Sequence, residues 1–535
     1  MTMQFGLAMH NAFKRRKGEV NMKLHQFRKP PVPLTLASAE VSPQRDLSQE
    51  PVLNLEAIQS DLLLGHSKKA EAHIYFKITN RANFVDFLTS LPITSAAAVY
   101  RQPGASVAHC TGAPPPNPRF AVGFTRAGLA ALGRDPGNSS DLAVFTENMH
   151  GRAVAELNDP SPETWVIGRP EEQIDGVFIV TGAQESDVTG ALDDSFANPN
   201  AEGFQIHQIL LGKTRPGDAE GHEHFGFLDG VSQPGIRGCV DAEQTVPLTA
   251  NSNPSEPDQG LPGQDLLWPG EFVFGYYAQK DGAAKFTERG DIRTPPVDWM
   301  KDGGFLVVRR LIQLVPEMHA GAAAVTPPGQ RREQLEAQLV GRWPNGAPVV
   351  TNPNADDPAL GTDENRNNDF EFGGDRLGLV CPWAAHIRKA YPRDDVRGIV
   401  NPDETTTDQA EAGTQRHRML RRGIQFGEEV TEQERQTKQT QEQRGLLFRC
   451  YITDIGRQFE FVQKSWCNNT DFVQSAAGHD PIIGQVAGGS ARTFAGVGYA
   501  GLKPTFDFKP WVIMTGGVYL FAPSLDFINS LNAVS

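Results

Sequence analysis

Apolar residues follow strand-like and helix-like patterns in turn through the first half of the chain. Continuous or alternating stretches rich in β-branched and aromatic residues predict strands, and apolar residues three or four apart predict helices. The predicted strands are Ala72–Ile78 and Gly176–Ala183, the predicted helices are 53–65 and Asn83–Leu91, and Phe120–Gly133 is a strand followed by a helix. This order predicts an α+β unit that ends near a Pro-, Asn-, Ser- and Asp-rich loop at about residues 241–263.

The second half repeats this order of elements. The predicted strands are Gly270–Tyr277, Gly303–Val315, Arg444–Ile455 and Val512–Ser524, and the predicted helices are Arg331–Trp343 and Gln458–Trp466. A run of charged and amide residues from Glu428 to Arg444 predicts a solvated excursion. We therefore expect two α+β domains, residues 51–250 and 265–535, after a mobile basic and Pro-rich tail over residues 1–50.

The composition argues against several classes of function. The 535 residues carry a formal net charge of -14, which argues against nucleic acid or an anionic membrane as the main partner. No apolar run is long enough for a transmembrane helix. Five cysteines without a CxxC spacing favour a reducing compartment, and the N-terminal residues lack the pattern of a secretory signal, so we expect a cytoplasmic protein. No GxGxxG or GxxxxGK[ST] loop follows a predicted strand, which argues against nucleotide binding.

One histidine is set between apolar and strongly basic residues. In CPWAAHIRKAYPRDD, which begins at Cys381, His386 follows Pro-Trp-Ala-Ala and precedes Arg388 and Lys389. A neutral imidazole in such a place is suited to bind iron, and haem iron commonly takes a single proximal histidine. The basic side chains, Arg388 among them, suit acidic groups at the edge of a cofactor such as haem propionates. An ordinary core histidine is the alternative that the residues alone leave open.

A second stretch places a carboxylate between glycines. Asp229 stands in GFLDG, between Gly226 and Gly230. The glycines allow the backbone to approach a flat ligand closely, and a carboxylate held over that ligand is placed to move a proton between the two oxygens of a peroxide. The alternative is an aspartate in a tight turn that bonds its own backbone. The nearby His222 and His224 are explained as well by ordinary loop chemistry as by metal binding.

Nine segments together resemble the dye-decolorizing peroxidases, in that family's order and from about Leu53 to Leu531. The segments are GFLDGVSQPG, GEFVFGY, GGFLVVRRLIQ, LVGRWPNGAPV, CPWAAHIRKAYPR, RMLRRGIQFG, RGLLFRCY, QFEFVQKSW and GGVYLFAPS. Length and loops are more similar to the large fungal and cyanobacterial subgroup than to the short bacterial one. The resemblance implies two ferredoxin-like domains, each an antiparallel sheet with helices, and one b-type haem (heme b) held mainly in the C-terminal domain. It also implies a peroxidase that reduces hydrogen peroxide through a ferryl intermediate and oxidises dyes, phenols and other bulky aromatic donors.

The resemblance assigns roles to three residues. His386 matches the proximal iron ligand, Asp229 the distal acid and Arg421 the distal arginine. Three further arginines between residues 416 and 422 are rivals for the last role, and the family match alone selects Arg421. The chain departs from the family at Gly423, because subgroups of the family carry Asn or Ser two residues beyond the distal arginine.

Four further residues complete the expected site. Leu446 and Phe448 alternate on one predicted strand and are expected to wall the distal pocket. Asp454 is expected to accept a hydrogen bond from the other ring nitrogen of His386 and make it more basic, with a surface turn as the alternative. Because a bulky donor would not enter a dry distal pocket, Trp466 is expected to be a surface exit for electrons. A tryptophan that only packs is the alternative there.

Two other functions fit the same residues. A haem-handling protein of this fold, which releases iron or stores haem, would have almost the same sequence. A cofactor-free α+β binding protein, in which His386 belongs to the core, is an alternative of a different class. The haem absorption band of the purified protein separates the last alternative from the others.

Overall fold

The computed structural model describes residues 46–101, 118–252, 256–396, 407–497 and 505–533. Residues 1–45 of the predicted tail lie outside this part of the chain. The end of that tail is packed, since Leu47 is buried and Leu47–Gln49 form a 3-10 helix. The Glu50 carboxylate accepts hydrogen bonds from Arg237 Nη1 at 3.0 Å and from Gly238 N at 2.6 Å. Residues 47–50 therefore belong to the folded structure and not to a tail.

Most strands of the described residues join one antiparallel sheet. The strands are β1 (Ala70–Ile78), β2 (Arg119–Phe124), β3 (Gly176–Gly182), β4 (Phe204–Lys213), β5 (Gly235–Ile236), β6 (Leu266–Leu267), β7 (Tyr277–Gln279), β8 (Arg289–Ile292), β9 (Gly304–Gln313), β10 (Leu420–Arg421), β11 (Ile424–Phe426), β12 (Gly445–Ile452), β13 (Arg492–Ala495), β14 (Thr505–Phe508) and β15 (Val512–Ala522). The large sheet has the order β10-β12-β9-β15-β2-β3-β1-β4, and β11 also pairs with β12.

Both halves of this sheet share one strand order. In the first half, the four strands lie in the order β4-β1-β3-β2. In the second half, the first to fourth strands are β9, β10 with β11, β12 and β15, and they lie in the same order, 4-1-3-2. The halves meet where Phe521 of β15 pairs with Phe124 of β2. This repeated arrangement, with helices against the strands, is ferredoxin-like and confirms the predicted α+β fold. The boundaries of the two domains stay a prediction.

Helices connect and cover the strands. They are α1 (Ser60–Leu63), α2 (Arg81–Ser90), α3 (Ala96–Tyr100), α4 (Arg126–Ala131), α5 (Ala143–Arg152), α6 (Glu185–Ser195), α7 (Val315–Val325), α8 (Arg332–Val340), α9 (Pro358–Gly361), α10 (His386–Ala390), α11 (Thr407–Gln415), α12 (Glu432–Thr437) and α13 (Leu525–Ser530). A π-helical segment in two parts, Gly456–Glu460 and Val462–Cys467, follows β12. Among the described residues, no helix combines the length and the apolar character needed to cross a bilayer.

Two predicted elements differ from the structure. The segment 53–65 is helical only in α1, because Ser60 N bonds Thr94 O at 2.8 Å instead of a helical carbonyl. The predicted strand at 270–277 contains a turn, in which Gly275 has a φ of 95° and Phe274 N donates to Gly303 O at 2.9 Å. In both places a hydrogen bond to a distant residue overrides the local pattern.

Both faces of the large sheet are buried along its inner strands. On one face, the rings of Phe76, Phe84 and Phe178 pack with centroids 4.5–6.1 Å apart. On the other face, Ile179 and Leu306 belong to a second apolar cluster. This double burial explains why strands such as β3 are apolar at consecutive positions.

The predicted excursion at 428–444 is only partly solvated. The side chains of Glu434 and Arg444 are fully buried and form a two-pronged ion pair, with N–O distances of 2.9 and 2.8 Å. Glu434 also accepts a hydrogen bond from Thr431 N at the start of α12. Composition alone does not show which members of a charge run are paired and buried.

Candidate active site

The turn before His386 is shaped by one carboxylate. Asp375 accepts hydrogen bonds from Leu379 N, Val380 N and Cys381 N at 2.7, 3.1 and 2.8 Å. The turn leads into α10, whose first residue is His386. The His386 side chain is 24% exposed. The imidazole is therefore presented from a fixed turn and is not enclosed in the core.

Close packing fixes the helix that carries His386. Gly341 ends α8 with a φ of 93°, in the left-handed region that favours glycine. A Cβ at this position would lie 2.5 Å from Ile387 Cγ1. Because Ile387 directly follows His386, the glycine allows the approach that sets the position of the imidazole.

The Nδ1 atom of His386 lies 2.8 Å from Oδ2 of Asp480. A carboxylate only accepts, so Nδ1 carries the proton and Nε2 keeps its lone pair for a metal. Oδ1 of Asp480 accepts hydrogen bonds from Ile482 N and Ile483 N at 2.8 and 3.0 Å, and the side chain is fully buried. Burial alone would raise the pKa of Asp480, but His386 and these N–H groups outweigh it and the pKa is lowered. Asp480 therefore stays ionised beside the histidine.

The expectation that Asp454 is this partner is wrong. Asp454 Oδ1 accepts a hydrogen bond from Arg457 N at 2.9 Å, and its side chain is 37% exposed near Arg293. Asp454 therefore caps the start of the π-helical segment after β12, in agreement with the alternative of a surface turn. Asp480 lies 94 positions beyond His386 in the chain. Its only local signal is an aspartate between turn residues in GHDPIIG.

Asp229 is carried by a loop with two glycines in the left-handed region. Gly226 has a φ of 99° and Gly230 a φ of 74°, and a Cβ at either would meet no heavy atom within 4 Å. Asp229 is exposed, and its Oδ1 accepts a hydrogen bond from Gly230 N at 2.7 Å. The turn alternative is therefore present locally, and the open space at both glycines suits the approach of a flat ligand.

A neighbouring carboxylate that the sequence analysis did not identify shapes this loop. Glu223 accepts hydrogen bonds from Phe225 N and Phe227 N, both at 2.9 Å, and from the side chain of Gln313 at the end of β9. Burial raises the pKa of Glu223, although these donors act in the opposite direction. Glu223 thus ties the loop that presents Asp229 to the end of β9, an inner strand of the large sheet.

The two histidines of this loop are not arranged as metal ligands. His222 Nδ1 lies 3.2 Å from Glu220 O, and His224 Nε2 lies 2.9 Å from Phe426 O. A ring nitrogen that faces a carbonyl oxygen donates to it. In the part of the chain that the structure describes, no group of three or more His, Cys, Asp or Glu side chains is placed to hold a metal ion.

Arg421, at the end of β10, reaches the loop after Asp229. Its Nη2 donates to Ser232 O. Its backbone N donates to Gln233 Oε1, and Gln233 Nε2 donates back to Arg421 O, both at 3.2 Å. Burial lowers the pKa of Arg421, while the Asp229 carboxylate acts to raise it. The arginine and the aspartate are therefore electrostatic neighbours.

The rival arginines have other partners. Arg416 Nη1 donates to Asp281 Oδ1 at 2.6 Å, and Arg418 lies over the Tyr391 ring at 3.7 Å. Arg422 donates to two backbone carbonyls of the α1 region, each at 3.0 Å. The three rivals are therefore engaged elsewhere, and Arg421 as the distal arginine stays the prediction.

His386, Asp229 and Arg421 share one electrostatic neighbourhood. Burial alone would lower the pKa of His386, but Asp480 outweighs it and the pKa is raised. The Arg421 guanidinium acts to lower this pKa and the Asp229 carboxylate acts to raise it. Such charge effects require proximity. The fold thus brings together three residues that the sequence spreads from position 229 to position 421.

One face of β12 adjoins Arg421. Arg421 pairs in register with Cys450, and burial raises the pKa of that thiol above its ordinary range while Arg421 opposes the shift. Leu446 and Phe448 lie on the same face by strand alternation and are partly exposed. A Cβ at Gly423 would meet Leu447 O at 3.2 Å and Leu446 Cδ1 at 3.5 Å. An apolar wall beside Arg421 therefore stays the prediction for Leu446 and Phe448.

The expectation that Arg388 binds acidic groups of a cofactor is wrong. Its side chain is fully buried, and Nε and Nη2 donate to Asp395 at 2.5 and 3.0 Å. Nη1 donates to Asp375 Oδ2 and Cys381 O, and Nη2 also donates to Asp375 O. All five N–H donors are used within the protein. Arg388 instead stabilises the turn that presents His386.

The expectation that Trp466 lies at the surface as an exit for electrons is wrong, because its side chain is buried. Trp466 is 3% exposed and stacks on Phe472 with ring centroids 5.2 Å apart. The rings of Trp466 and His417 also meet edge to face, with their centroids 5.1 Å apart. The polar residues that follow it suggested a surface, but aromatic packing encloses the indole.

The donor set fits a haem. One imidazole offers Nε2 while a buried carboxylate fixes Nδ1, as is usual for a metal-bound histidine. A glycine-flanked loop and a cationic side chain lie in its electrostatic neighbourhood. A basic acceptor and a guanidinium near one iron ligand are the groups that peroxide chemistry requires.

The fold and these residues define an α+β haem peroxidase of the dye-decolorizing type. Residues 57–216 match the model of the DyP dimeric alpha+beta barrel domain. The curated dye-decolorizing peroxidase msp1 of Mycetinis scorodonius is 33% identical, over 94% of this chain and 91% of its own.

Solved structures agree with that match. The structure of an ancestral D-type dye decolorizing peroxidase has a TM-score of 0.73 and 34% identity, over 89% of this chain and 99% of its own. A dye-decolorizing peroxidase in complex with 2,6-dimethoxyphenol has a TM-score of 0.72 and 32% identity, over 90% of this chain and 99% of its own. The chain therefore belongs to the dye-decolorizing peroxidase family, whose members are haem enzymes, and it is a peroxidase.

Proposed function

We propose that this peroxidase binds one haem b through His386 Nε2 and uses hydrogen peroxide to oxidise dyes, phenols and other bulky aromatic donors. When bound, the haem supplies an iron that accepts peroxide and stores its oxidising equivalents. Asp480 holds the His386 ring in the Nδ1–H tautomer and increases its basicity. The phenol complex of a related peroxidase supports aromatic donors as substrates.

Asp229 and Arg421 divide the work on peroxide. The Asp229 carboxylate would remove a proton from one oxygen of hydrogen peroxide and return it to the other oxygen, which would depart as water. The Arg421 guanidinium stabilises the negative charge that develops as the O–O bond breaks. Leu446 and Phe448 exclude water beside Arg421, which strengthens these charge effects.

The shared electrostatic neighbourhood of His386, Asp229 and Arg421 carries this proposal. A structural histidine would not need both a buried carboxylate on Nδ1 and an acid–arginine pair whose charges act on the ring. The separate pairing of Arg416, Arg418 and Arg422 leaves Arg421 as the cation for the site.

Peroxide-dependent dye oxidation by the haem-loaded chain tests the proposal. Arg421→Ala is expected to lower kcat/KM for peroxide by about 10²–10³-fold, the usual cost of removing a donor that stabilises developing charge. Arg416→Ala is the matched control, because that arginine pairs with Asp281. An unchanged kcat/KM in Arg421→Ala, or a loss of the same size in both variants, would contradict the role of Arg421.

For the location of the enzyme, we propose the cytoplasm. In the described residues, Cys381, Cys450 and Cys467 are buried free thiols. Free thiols suit a reducing compartment. Fractionation of producing cells tests this proposal, and activity confined to the culture medium would contradict it.

A further inference from the structure

We propose that Tyr391 is a redox-active tyrosine of this peroxidase, which passes electrons from bulky aromatic donors to the haem and gives its phenol proton to Asp265. The inference rests on the proposed haem ligand His386. Tyr391 directly follows α10, five positions after His386, and its backbone N donates to Ile387 O at 3.0 Å. At 1.5 Å per residue, its Cα lies about 8 Å along the helix axis from that of the histidine.

The phenol has a built proton acceptor. Tyr391 Oη donates to Asp265 Oδ2 at 2.8 Å, and Gln415 Nε2 lies 2.8 Å from the same carboxylate oxygen and 2.9 Å from the phenol oxygen. Asp265 and Gln415 are buried, whereas Tyr391 is partly exposed. The hydrogen bonds to the Asp265 carboxylate come from Tyr391, Gln415 and Gln259, all neutral donors.

Two guanidinium groups control how the ring loses an electron. Arg418 lies 3.7 Å and Arg393 5.0 Å from the centroid of the Tyr391 ring. A cation over the ring disfavours a positively charged radical. The electron therefore leaves only as the proton moves to Asp265, which yields a neutral phenoxyl. Burial, together with Asp265, raises the pKa of Tyr391 well above its ordinary value, so the phenol is protonated until it is oxidised.

The exchange balances in two half-steps. First, one electron passes from Tyr391 to the haem that peroxide has oxidised, and the phenol proton passes to Asp265. Second, a donor phenol at the surface gives one electron to the Tyr391 phenoxyl and releases its own proton to water. Asp265 then returns its proton to Tyr391 Oη. The net result is one donor oxidised and one oxidising equivalent consumed.

Exposure and position separate Tyr391 from other tyrosines with the same kind of partner. Tyr276, Tyr451 and Tyr519 also donate to carboxylates, at 2.6, 2.6 and 2.8 Å, but all three are buried. Trp466 is likewise enclosed. Among these residues, Tyr391 is the one that combines a carboxylate partner with a partly exposed side chain.

The test is electron paramagnetic resonance of the haem-loaded full chain, frozen after mixing with peroxide in the absence of a donor. The wild type is expected to give a tyrosyl radical signal, and Tyr391→Phe to lose it. Asp265→Asn keeps the ring but removes the base, and is expected to slow formation of the radical roughly a hundredfold. Tyr277→Phe is the matched control, because Tyr277 is also partly exposed and lies under a guanidinium, that of Arg289 at 4.3 Å.

Loss of the signal in Tyr391→Phe and its retention in Tyr277→Phe would support the inference. No tyrosyl signal in the wild type, or an unchanged signal in Tyr391→Phe, would overturn it, as would equal loss in both variants. Haem content is measured on every sample together with that of His386→Ala. If His386→Ala keeps its haem, the proposed ligand fails; if it loses haem while Tyr391→Phe keeps the radical, only the tyrosine inference fails.

Discussion

Replacing Asp480 by asparagine is expected to loosen haem binding without removing the ligand. The Asp480 carboxylate serves three donors at once, His386 Nδ1 on one oxygen and Ile482 N and Ile483 N on the other. An asparagine side chain has a single acceptor oxygen. If that oxygen keeps the two backbone bonds, the amide NH2 faces Nδ1 and the favoured tautomer of His386 is lost.

The expected size follows from the bond that is removed. A hydrogen bond to a charged group contributes about 1.5–3 kcal/mol. At about 1.4 kcal/mol for each tenfold change, the loss corresponds to roughly 10–100-fold in haem retention, the range usual for residues that orient a metal-bound histidine.

The assay is transfer of haem from the purified protein to an excess of apomyoglobin, followed by visible absorbance. Asp480→Asn is expected to release haem about 10–100 times faster than the wild type. Asp454→Asn is the matched control, because Asp454 only caps a turn beside Arg457. Its release rate is expected to be unchanged. Faster release from Asp454→Asn than from Asp480→Asn would refute the structural assignment and restore the expectation drawn from the sequence.

Three further predictions follow from other parts of the structure. Asp229→Asn is expected to keep haem but slow its oxidation by peroxide roughly a hundredfold or more in stopped flow, and an unchanged rate would move the proton transfer to another group. Burial alone would raise the pKa values of Asp61 and Glu71, but Arg449 outweighs burial and both pKa values are lowered. The two carboxylates therefore contribute fully to stability above about pH 5, and this contribution declines as the pH falls below about 4. Arg449→Met, which removes the cation that pairs with both of these buried carboxylates, is expected to cost about 3–5 kcal/mol near neutral pH in denaturant unfolding and to weaken this acid dependence; a wild-type-like pH profile would argue against it. Trp466→Phe is expected to cost about 0.5–3 kcal/mol of stability and to affect dyes and small phenols equally, whereas a loss confined to bulky dyes would restore Trp466 as an electron exit.

Local patterns were sufficient for much of the fold. The strands at 72–78 and 176–183 were predicted within two residues of β1 and β3, because β-branched and aromatic runs buried on both faces have few other structures available. The segment 270–277 has the same composition but turns at Gly275, where a hydrogen bond to Gly303 O decides the conformation. A partner that is distant in sequence leaves no trace in a local pattern.

The candidate site divides in the same way. His386 and Asp229 lie in distinctive surroundings, and Arg421 was selected through the resemblance to the family. Asp480 was missed because its role depends on contact with a residue 94 positions away. The sequence showed the charge of Arg388 but not the two buried carboxylates that use it.

The most direct test of the proposed haem site is the haem content and absorption spectrum of purified His386→Ala. The variant is expected to lose most of its haem while it keeps its fold by circular dichroism, because Nε2 of His386 is the proposed iron ligand. His319→Ala is the matched control, since His319 pairs with Glu336 at 2.8 Å and is placed on α7. Haem loss in His386→Ala alone is the result that we predict. Full haem occupancy with an unchanged spectrum in His386→Ala would contradict it.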